Sequence, residues 1–280
     1  MQHETTYSST AGLRLLAELP ESGVFRTHDA LKAGSSLDLS EAHVRKLLHD
    51  LSSSGWVARL QRGLYAPVDR ATAAPRAHPF TVGTSLVQPA AVSHWSALAH
   101  WELTEQIPQV VTVSSPRGSA DRSHRRLSRT ETSGHLWEVA GQRYRVVSVQ
   151  PGHYFGVKDV WVSPEERVPV FDRERAVLDT LRHFHIFGSL GPALEVFERH
   201  VADLDLDRLV EYSGRLRVGA VTRRLGWLLE RLGAPEDVRA RLSVQLPARG
   251  SVVPLDPTRP ARGPRTAKWG VIDNLDAASV

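Results

Sequence analysis

The first 69 residues carry a pattern of apolar and polar positions that predicts three helices followed by a hairpin of two strands. Between Ser40 and Gly55 the apolar residues recur at the spacing of one helical face, and they are Val44, Leu47, Leu48 and Leu51. After Gly55 the period changes to two in WVARL and LYAP, which the short loop QRG joins. Two earlier helices are predicted, one at 9–19 and one that Thr27 caps and Gly34 ends. This order is that of a winged helix-turn-helix domain spanning 1–69.

Beyond residue 69 the pattern predicts a linker and then a mixed α/β domain, so the fold class is α+β and multidomain. Residues 70–79 are rich in Ala and Pro without a period, which is typical of linkers. We expect the second domain to span 80–280, with strands in QVVTVSS, LWEVAG, QRYRVVSVQ and YFGVKDVWVS. Its parts are a sheet-rich region at 80–170, a helix-rich region at 171–245, and a C-terminal segment at 250–280 with a returning strand in KWGVIDN.

The stretch VSHWSALAHWEL at the start of the second domain raises the question of a metal or catalytic site. Ser93 is placed to cap a helix that runs to about Glu102. His94 and His100 are six residues apart, so they point about 120° away from each other on that helix and cannot chelate one ion. The large apolar side chains of the stretch are Trp95, Leu98 and Trp101. We therefore interpret it as a packing element.

The chain lacks the sequence signatures of the common catalytic sites. None of its four lysines has an acidic residue two positions earlier, and no Walker A loop, G-x-G-x-x-G, G-x-S-x-G or H-E-x-x-H is present. His183 and His185 are two apart on a predicted helix and face different directions. We therefore expect no catalytic residues, no metal site and no cofactor, and we predict that the protein is not an enzyme.

The compartment is predicted from two further absences in the sequence. There is no cysteine, which removes disulfides and fits a reducing compartment. Neither a signal peptide nor an apolar run of membrane-spanning length is visible, so we expect a cytoplasmic protein without a membrane partner.

A basic face on the predicted winged helix indicates double-stranded DNA as a partner. The helix at 40–55 places Lys46 and His49 opposite its apolar face, with His43 and Arg45 on the flanks. Arg59 and Arg62 lie near the tip of the hairpin, where they can reach the DNA backbone. The whole chain has a net charge of +4, but residues 1–69 hold seven basic and eight acidic side chains. A winged helix that serves only protein contacts therefore stays as an alternative.

Further arginines in the second domain suggest a secondary basic patch. One group lies in the polar stretch 115–135 and comprises Arg117, Arg122, Arg125, Arg126 and Arg129. A second group lies on consecutive predicted helices and comprises Arg215, Arg217, Arg223 and Arg224. The first group has a solvated loop as its alternative interpretation, and the second has ion pairs with Glu211 or Glu230.

Six segments of the chain, taken in order, resemble the AbiEi family, the antitoxins of type IV toxin-antitoxin (abortive-infection, phage-defence) systems. They are GWVARLQRGLYAPV, SALAHWELTEQIPQVVTVSSPR, YFGVKDVWV, VPVFDRERAVLDTL, LDRLVEYSGRLRVGAVTRRLGWLLERLG and LDP with the later WGVIDN, between about residues 20 and 276. The resemblance implies a winged-helix repressor of its own operon that binds inverted repeats in its promoter. It also implies a C-terminal domain that counteracts a nucleotidyltransferase-like toxin, without a stable complex being required.

Carried over by position, the resemblance implies these DNA-binding residues: Ser40, His43, Arg45, Lys46, His49, Arg59 and Arg62. The alternative function is a ligand-responsive winged-helix transcriptional repressor without a toxin partner. Such a repressor would have a convergent polar pocket in its second half.

Overall fold

The computed structural model describes residues 2–21, 23–117, 135–247 and 252–275. Its N-terminal unit consists of α1 (Gln2–Ala17), β1 (Phe25–Arg26), α2 (Thr27–Ser35), α3 (Glu41–Ser53), β2 (Val57–Gln61) and β3 (Leu64–Pro67). The three strands form an antiparallel sheet in the order β1-β3-β2. The apolar face predicted for α3 is buried against α1, β1 and β2, and it comprises Val44, Leu47, Leu48 and Leu51.

The start and end of α2 differ from the sequence prediction. Arg26, not Thr27, occupies the N-cap position, and its backbone N–H donates to the Asp29 carboxylate at 2.7 Å. Gly34 does not end the helix, since α2 continues to Ser35. A Cβ at Gly34 would lie 2.2 Å from Val44 Cγ2, so glycine is needed there because α2 and α3 approach closely.

The second unit begins with α4 (Pro79–Leu86) and contains a six-stranded mixed sheet. Its strands are β4 (Ala91–Val92), β5 (Val110–Pro116), β6 (His135–Val139), β7 (Gln142–Val149), β8 (Val157–Trp161) and β9 (Arg167–Phe171), and α5 (His94–His100) follows β4. The sheet order is β6-β7-β5-β4-β9-β8. The pairs β5–β7 and β4–β9 are parallel, and the other pairs are antiparallel.

Helices dominate the next part of the second unit. They are α6 (Arg173–Thr180), α7 (Phe184–Phe187), α8 (Gly191–His200), α9 (Leu206–Leu216), α10 (Gly219–Arg231) and α11 (Glu236–Val244). A small sheet follows, in the order β10-β12-β11, formed by β10 (Val253–Pro254), β11 (Arg265–Thr266) and β12 (Val271–Ile272). The strand predicted in KWGVIDN corresponds to β12. No helix within the described ranges is both long and apolar enough to cross a membrane.

Residues 70–79, predicted as a linker, include a turn with its own hydrogen bonds. Asp69 N donates to Ala74 O at 2.8 Å, and Arg76 N donates to Pro67 O at 2.8 Å. The backbone N–H of His78 donates to both carboxylate oxygens of Glu166, at 3.0 and 3.1 Å. The contact between His78 and Glu166 ties the segment to the second unit, because Glu166 lies just before β9. The domain boundaries themselves stay a prediction.

Candidate nucleic-acid interface

Helix α3 presents a continuous polar face to solvent. Ser40 is its N-cap, and the Ser40 hydroxyl accepts a hydrogen bond from the backbone N–H of His43 at 3.3 Å. Arg45, Lys46 and His49 are exposed, and His43 is half-buried at the flank of this face. The residues on the opposite side anchor the helix in the N-terminal core, so the orientation of the polar face is fixed by packing.

Two of the basic residues on α3 differ in their electrostatic surroundings. Arg45 Nη2 lies 3.5 Å from Glu41 Oε2, one helical turn earlier. Such an exposed i,i+4 pair contributes only about 0.3–0.5 kcal/mol, so a phosphate can replace Glu41 at little cost. Lys46 has no ion-pair partner within the described part of the chain. It is therefore the side chain on this face whose charge is least compensated.

The hairpin after α3 carries the other predicted contacts. Arg59 lies opposite Tyr65 in the β2–β3 ladder, and a bulge follows it before Gln61. Arg62 is exposed at the turn, and Gly63 has a φ of +76°, which glycine adopts without strain. The Gly63 carbonyl accepts the backbone N–H of Thr27 at 3.0 Å, so the tip of the hairpin is held beside the start of α2.

The hairpin is also held from the side of the second unit. Gln61 Nε2 donates to the Leu86 carbonyl at 3.2 Å, and Arg26 Nη2 donates to the Ser85 carbonyl at 3.5 Å. Three buried side chains of β2 and β3 pack into the hydrophobic core of the second unit, namely Leu60, Leu64 and Ala66. The C-terminal end of α4 therefore supports the hairpin, and the position of Arg59 and Arg62 depends on both units.

The arginines predicted as a secondary patch separate into three sets. Arg117 follows β5 directly, and Arg215 and Arg217 are exposed at the C-terminal end of α9. Arg215 Nη1 lies 3.9 Å from Glu211 Oε1, which is the ion pair offered as the alternative interpretation. The remaining predicted arginines of stretch 115–135 lie outside the described residues, and they are Arg122, Arg125, Arg126 and Arg129.

Arg223 and Arg224 require a correction, since they are only 8% and 6% exposed. The Arg224 guanidinium donates to the carbonyls of Leu255, Leu181 and Pro254 at 2.9, 3.2 and 3.1 Å. Arg223 Nη1 donates to the Trp269 carbonyl at 2.8 Å. Both side chains therefore join α10 to the C-terminal segment, and neither contributes to a basic surface. The helical periodicity placed them on α10 but gave no sign that the small sheet covers that face.

With this geometry established, comparison with known proteins gives a family for the N-terminal unit. Residues 14–68 match the family model described as "Transcriptional regulator, AbiEi antitoxin". Residues 14–68 are thus similar to AbiEi-type regulators, and we call them the AbiEi-type segment. The match confirms the family resemblance of the sequence and supports a role as a regulator or antitoxin. No curated protein matches the chain significantly.

A solved structure extends the fold comparison to nearly the whole chain. The RV2827C protein from Mycobacterium tuberculosis superposes with a TM-score of 0.62 at 14% sequence identity. The alignment covers 94% of this chain and 90% of that chain. At this identity the likeness concerns the fold alone. It shows that the N-terminal unit and the second unit together have a fold that occurs in another protein.

The His-Trp stretch packs between α6 and the sheet of the second unit. Leu98 is fully buried, and the indole N–H groups of Trp95 and Trp101 donate to the carbonyls of Ile186 and Phe171 at 3.2 and 2.7 Å. Ser93 occupies the N-cap position of α5, but its side chain does not cap the helix. Helix α5 also ends at His100, before the predicted Glu102.

Outside the AbiEi-type segment, a buried polar network centred on His94 was missed by sequence reasoning. His94 Nε2 lies 2.8 Å from His183 Nδ1, and His94 Nδ1 lies 2.8 Å from the Ser93 hydroxyl. His183 Nδ1 is 3.5 Å from Asp179 Oδ1, which is also paired with Arg175. The two histidines are 89 positions apart in the sequence, so no local spacing indicates the contact.

The network combines the neutral His94 ring with one compensated ion pair. Burial lowers the pKa of His94 well below its usual range, so its ring is neutral at pH 7. Burial alone would raise the pKa of the Asp179 carboxyl, but chiefly the Arg175 guanidinium holds it below its usual range. The carboxylate is therefore charged beside the Arg175 guanidinium.

Ligand atoms of His94, Asp179 and His183 lie within 4.8 Å of one another and could in principle surround a metal ion. A divalent ion would place two further positive charges beside Arg175 in a site with a single carboxylate. Uncompensated buried charge is costly, so the donor set fits a metal-free hydrogen-bonded network better. His94 and Asp179 are fully buried and His183 is 3% exposed, which also fits a structural role better than a substrate site.

Proposed function

We propose that the protein is a DNA-binding transcriptional regulator whose N-terminal unit acts as a winged helix. The observation that carries this proposal is the polar face of α3, which is turned outward by a fully buried apolar face on the other side. A helix fits the major groove of B-DNA, and an adjacent hairpin can contact the backbone or the minor groove. The family match at residues 14–68 supports the same role.

Each predicted DNA-binding residue receives a proposed role from its place in this unit. Residues at the N-terminal end of a recognition helix reach base edges. Ser40 and His43 lie at that end of α3 and are therefore proposed to contact bases. Lys46 and His49 lie farther along the face, and with Arg45 they are proposed to contact phosphates or base edges. Arg59 and Arg62 are proposed to hold the adjacent backbone from the hairpin.

The finer proposal is an antitoxin that represses its own operon and counteracts a nucleotidyltransferase-like toxin. It rests on the AbiEi match, because regulators of this family are antitoxins. The promoter would contain inverted repeats, and direct contact with the toxin is not required. Cells that express a nucleotidyltransferase-like toxin encoded beside this gene should stop growing, and co-expression of this protein should restore their growth. Toxicity that persists at high levels of this protein would contradict the antitoxin role.

The DNA-binding proposal predicts a specific change in salt dependence for the double variant Lys46→Ala and Arg62→Ala. Each lost phosphate contact reduces the slope of log K against log salt by about 0.9, so two lost contacts reduce it by about 1.8. The measurement is a titration of promoter DNA at several salt concentrations, monitored by fluorescence anisotropy.

The matched control is the double variant Arg262→Ala and Arg265→Ala, which removes the same charge from exposed positions near the C-terminus. We expect the control to keep the slope of the unaltered protein. If both double variants lower the slope equally, general charge rather than the α3 and hairpin surface governs binding.

A further inference from the structure

A groove of about 510 Å³ lies at one end of the six-stranded sheet. Its lining comprises Gln150, Gly152, His153, Glu211, Gly214, Arg215 and Arg217, and we call it the arginine groove. Gln150, Gly152 and His153 directly follow β7, which runs parallel to β5. Small-molecule sites have volumes of roughly 300–1,000 Å³, and α/β sheets bind ligands beyond the carboxyl ends of their strands. The arginine groove has both the size and the position of such a site.

Arg217 is held in the arginine groove in a strained backbone conformation. It is the C-cap of α9, with φ 49° and ψ 35°, and its backbone N–H donates to the Ser213 carbonyl at 3.2 Å. Glycine is the usual residue at such a left-handed position, because a Cβ raises the energy of this conformation. The exposed side chain of Arg217 makes no hydrogen bond or ion pair within the described ranges, so no contact there offsets the strain. A side chain that gains its partner from a ligand would account for this arrangement.

Arg215 is positioned by stacking, with part of its guanidinium still exposed. Its guanidinium carbon lies 4.1 Å from the centroid of the Phe155 ring, and the side chain is 49% exposed. The contact with Glu211 is 3.9 Å long and joins two exposed groups, so it competes weakly with a bound anion. Stacking on an aromatic face leaves the N–H edge of a guanidinium free to form paired hydrogen bonds.

The guanidinium of Arg182 contacts His153, which lines the arginine groove. Arg182 Nη1 lies 3.1 Å from His153 Nδ1, and Arg175 Nη2 donates to the His153 carbonyl at 3.2 Å. The wall formed by His153 is therefore fixed by two arginines from the α6 region. Among the lining residues, Arg215 and Arg217 outweigh the single carboxylate of Glu211.

We propose that the arginine groove binds a phosphorylated small molecule, with its phosphate held between Arg215 and Arg217. Guanidinium groups form paired, charge-assisted hydrogen bonds with phosphate oxygens, and two of them match a phosphate dianion. Glu211 on the same wall disfavours a nucleic-acid strand that passes along the groove, whereas one phosphate can sit beside the arginines. This proposal is independent of the DNA-binding role and gives Arg215 and Arg217 a purpose other than DNA contact.

The test is isothermal titration calorimetry of the full-length protein with inorganic phosphate, AMP and ATP. A 20-nucleotide single DNA strand with a 5′-hydroxyl end is titrated separately, as an alternative ligand that lacks a terminal phosphate. The variants are Arg215→Gln and Arg217→Gly, and Arg262→Gln is the control. We expect saturable binding of at least one phosphate probe, weakened 10-fold or more in both variants and unchanged in the control.

The Arg217→Gly variant separates ligand binding from folding. Glycine relieves the left-handed strain at this position, so its Tm should equal or exceed that of the unaltered protein while binding is lost. Unchanged affinity in this variant, or no saturation by any of the phosphate probes, would overturn the proposal. Binding of the DNA strand alone, abolished by the same variants, would also overturn it and would assign the surface to nucleic acid.

Discussion

His94 is fully buried, and its backbone has a φ of +54°, which is uncommon for a residue other than glycine. Both ring nitrogens have partners, in Ser93 and His183. The Ser114 hydroxyl donates to the Ser93 hydroxyl at 2.9 Å, so the network links β5 to the start of α5. A buried polar network of this kind stabilises the core only while the His94 ring stays neutral, because an uncompensated buried charge is costly.

The burial of His94 predicts that stability falls at mildly acidic pH. The folded state holds the ring neutral, and the unfolded chain takes up a proton below a pKa of about 6.5. The free energy of unfolding should therefore decrease as the pH falls below that value, by up to about 1.4 kcal/mol per pH unit for each such histidine. Urea denaturation at pH 7.5, 6.5 and 5.5 measures this slope.

The matched variant is His94→Asn, because asparagine tolerates a positive φ and keeps a polar side chain without a titrating group. Burial also lowers the pKa of His78 and His100, so part of the pH dependence should survive in the variant. We expect a smaller slope than in the unaltered protein. Equal slopes would show that His94 does not titrate on unfolding.

At the scale of elements, the β2–β3 hairpin belongs to two cores at once. Val57, the first residue of β2, packs with α1 and α3, while Leu60 and Leu64 pack with the second unit. Removal of the second unit would expose these leucines to water. Burial of a leucine side chain contributes roughly 1.5–3 kcal/mol, so their exposure should destabilise the hairpin.

This shared packing predicts that a fragment ending at Ala71 binds promoter DNA more weakly than the full chain. The hairpin loses the apolar contacts of Leu60 and Leu64 and the hydrogen bond from Gln61 to Leu86. The measurement compares DNA affinity and thermal unfolding of the fragment and the full protein in the same buffer. A fragment that binds equally tightly and keeps an ordered hairpin would show that α4 gives no support.

The elements that sequence reasoning predicted well have a single buried face of local origin. Helix α3 shows one clear period, and the short QRG loop marks the turn between β2 and β3. Strand β4 has two residues, which is too short for any period to appear. Strand β9 was not predicted, and Asp172 alone separates it from α6.

Burial produced by distant segments could not be predicted from local periodicity. Arg224 lies on α10 and donates to carbonyls of the C-terminal segment about 30 positions later. His183, one of the two partners of His94, likewise lies 89 positions away, just before α7. The predicted DNA-binding residues lie in one short helix and hairpin, where local spacing is sufficient to find them. Their DNA contacts nevertheless stay a proposal.

On the level of the whole molecule, the proposed DNA binding requires charges that act locally. The net charge is only +4 over 280 residues, and the N-terminal unit is nearly neutral. Affinity for DNA must therefore come from the placement of a few side chains on α3 and the hairpin. A small number of phosphate contacts gives only a modest affinity for DNA of any sequence. Discrimination between DNA sequences should therefore depend on base contacts.

A single titration tests whether the protein binds DNA sequence-specifically. Full-length protein is titrated onto labelled DNA from upstream of its own gene and onto an unrelated fragment of equal length, at two salt concentrations. We predict a preference of about 10³ or more for its own DNA, with affinity that falls as salt rises. Equal, weak binding to both fragments would contradict sequence-specific DNA binding and would favour a protein-binding role for the N-terminal unit.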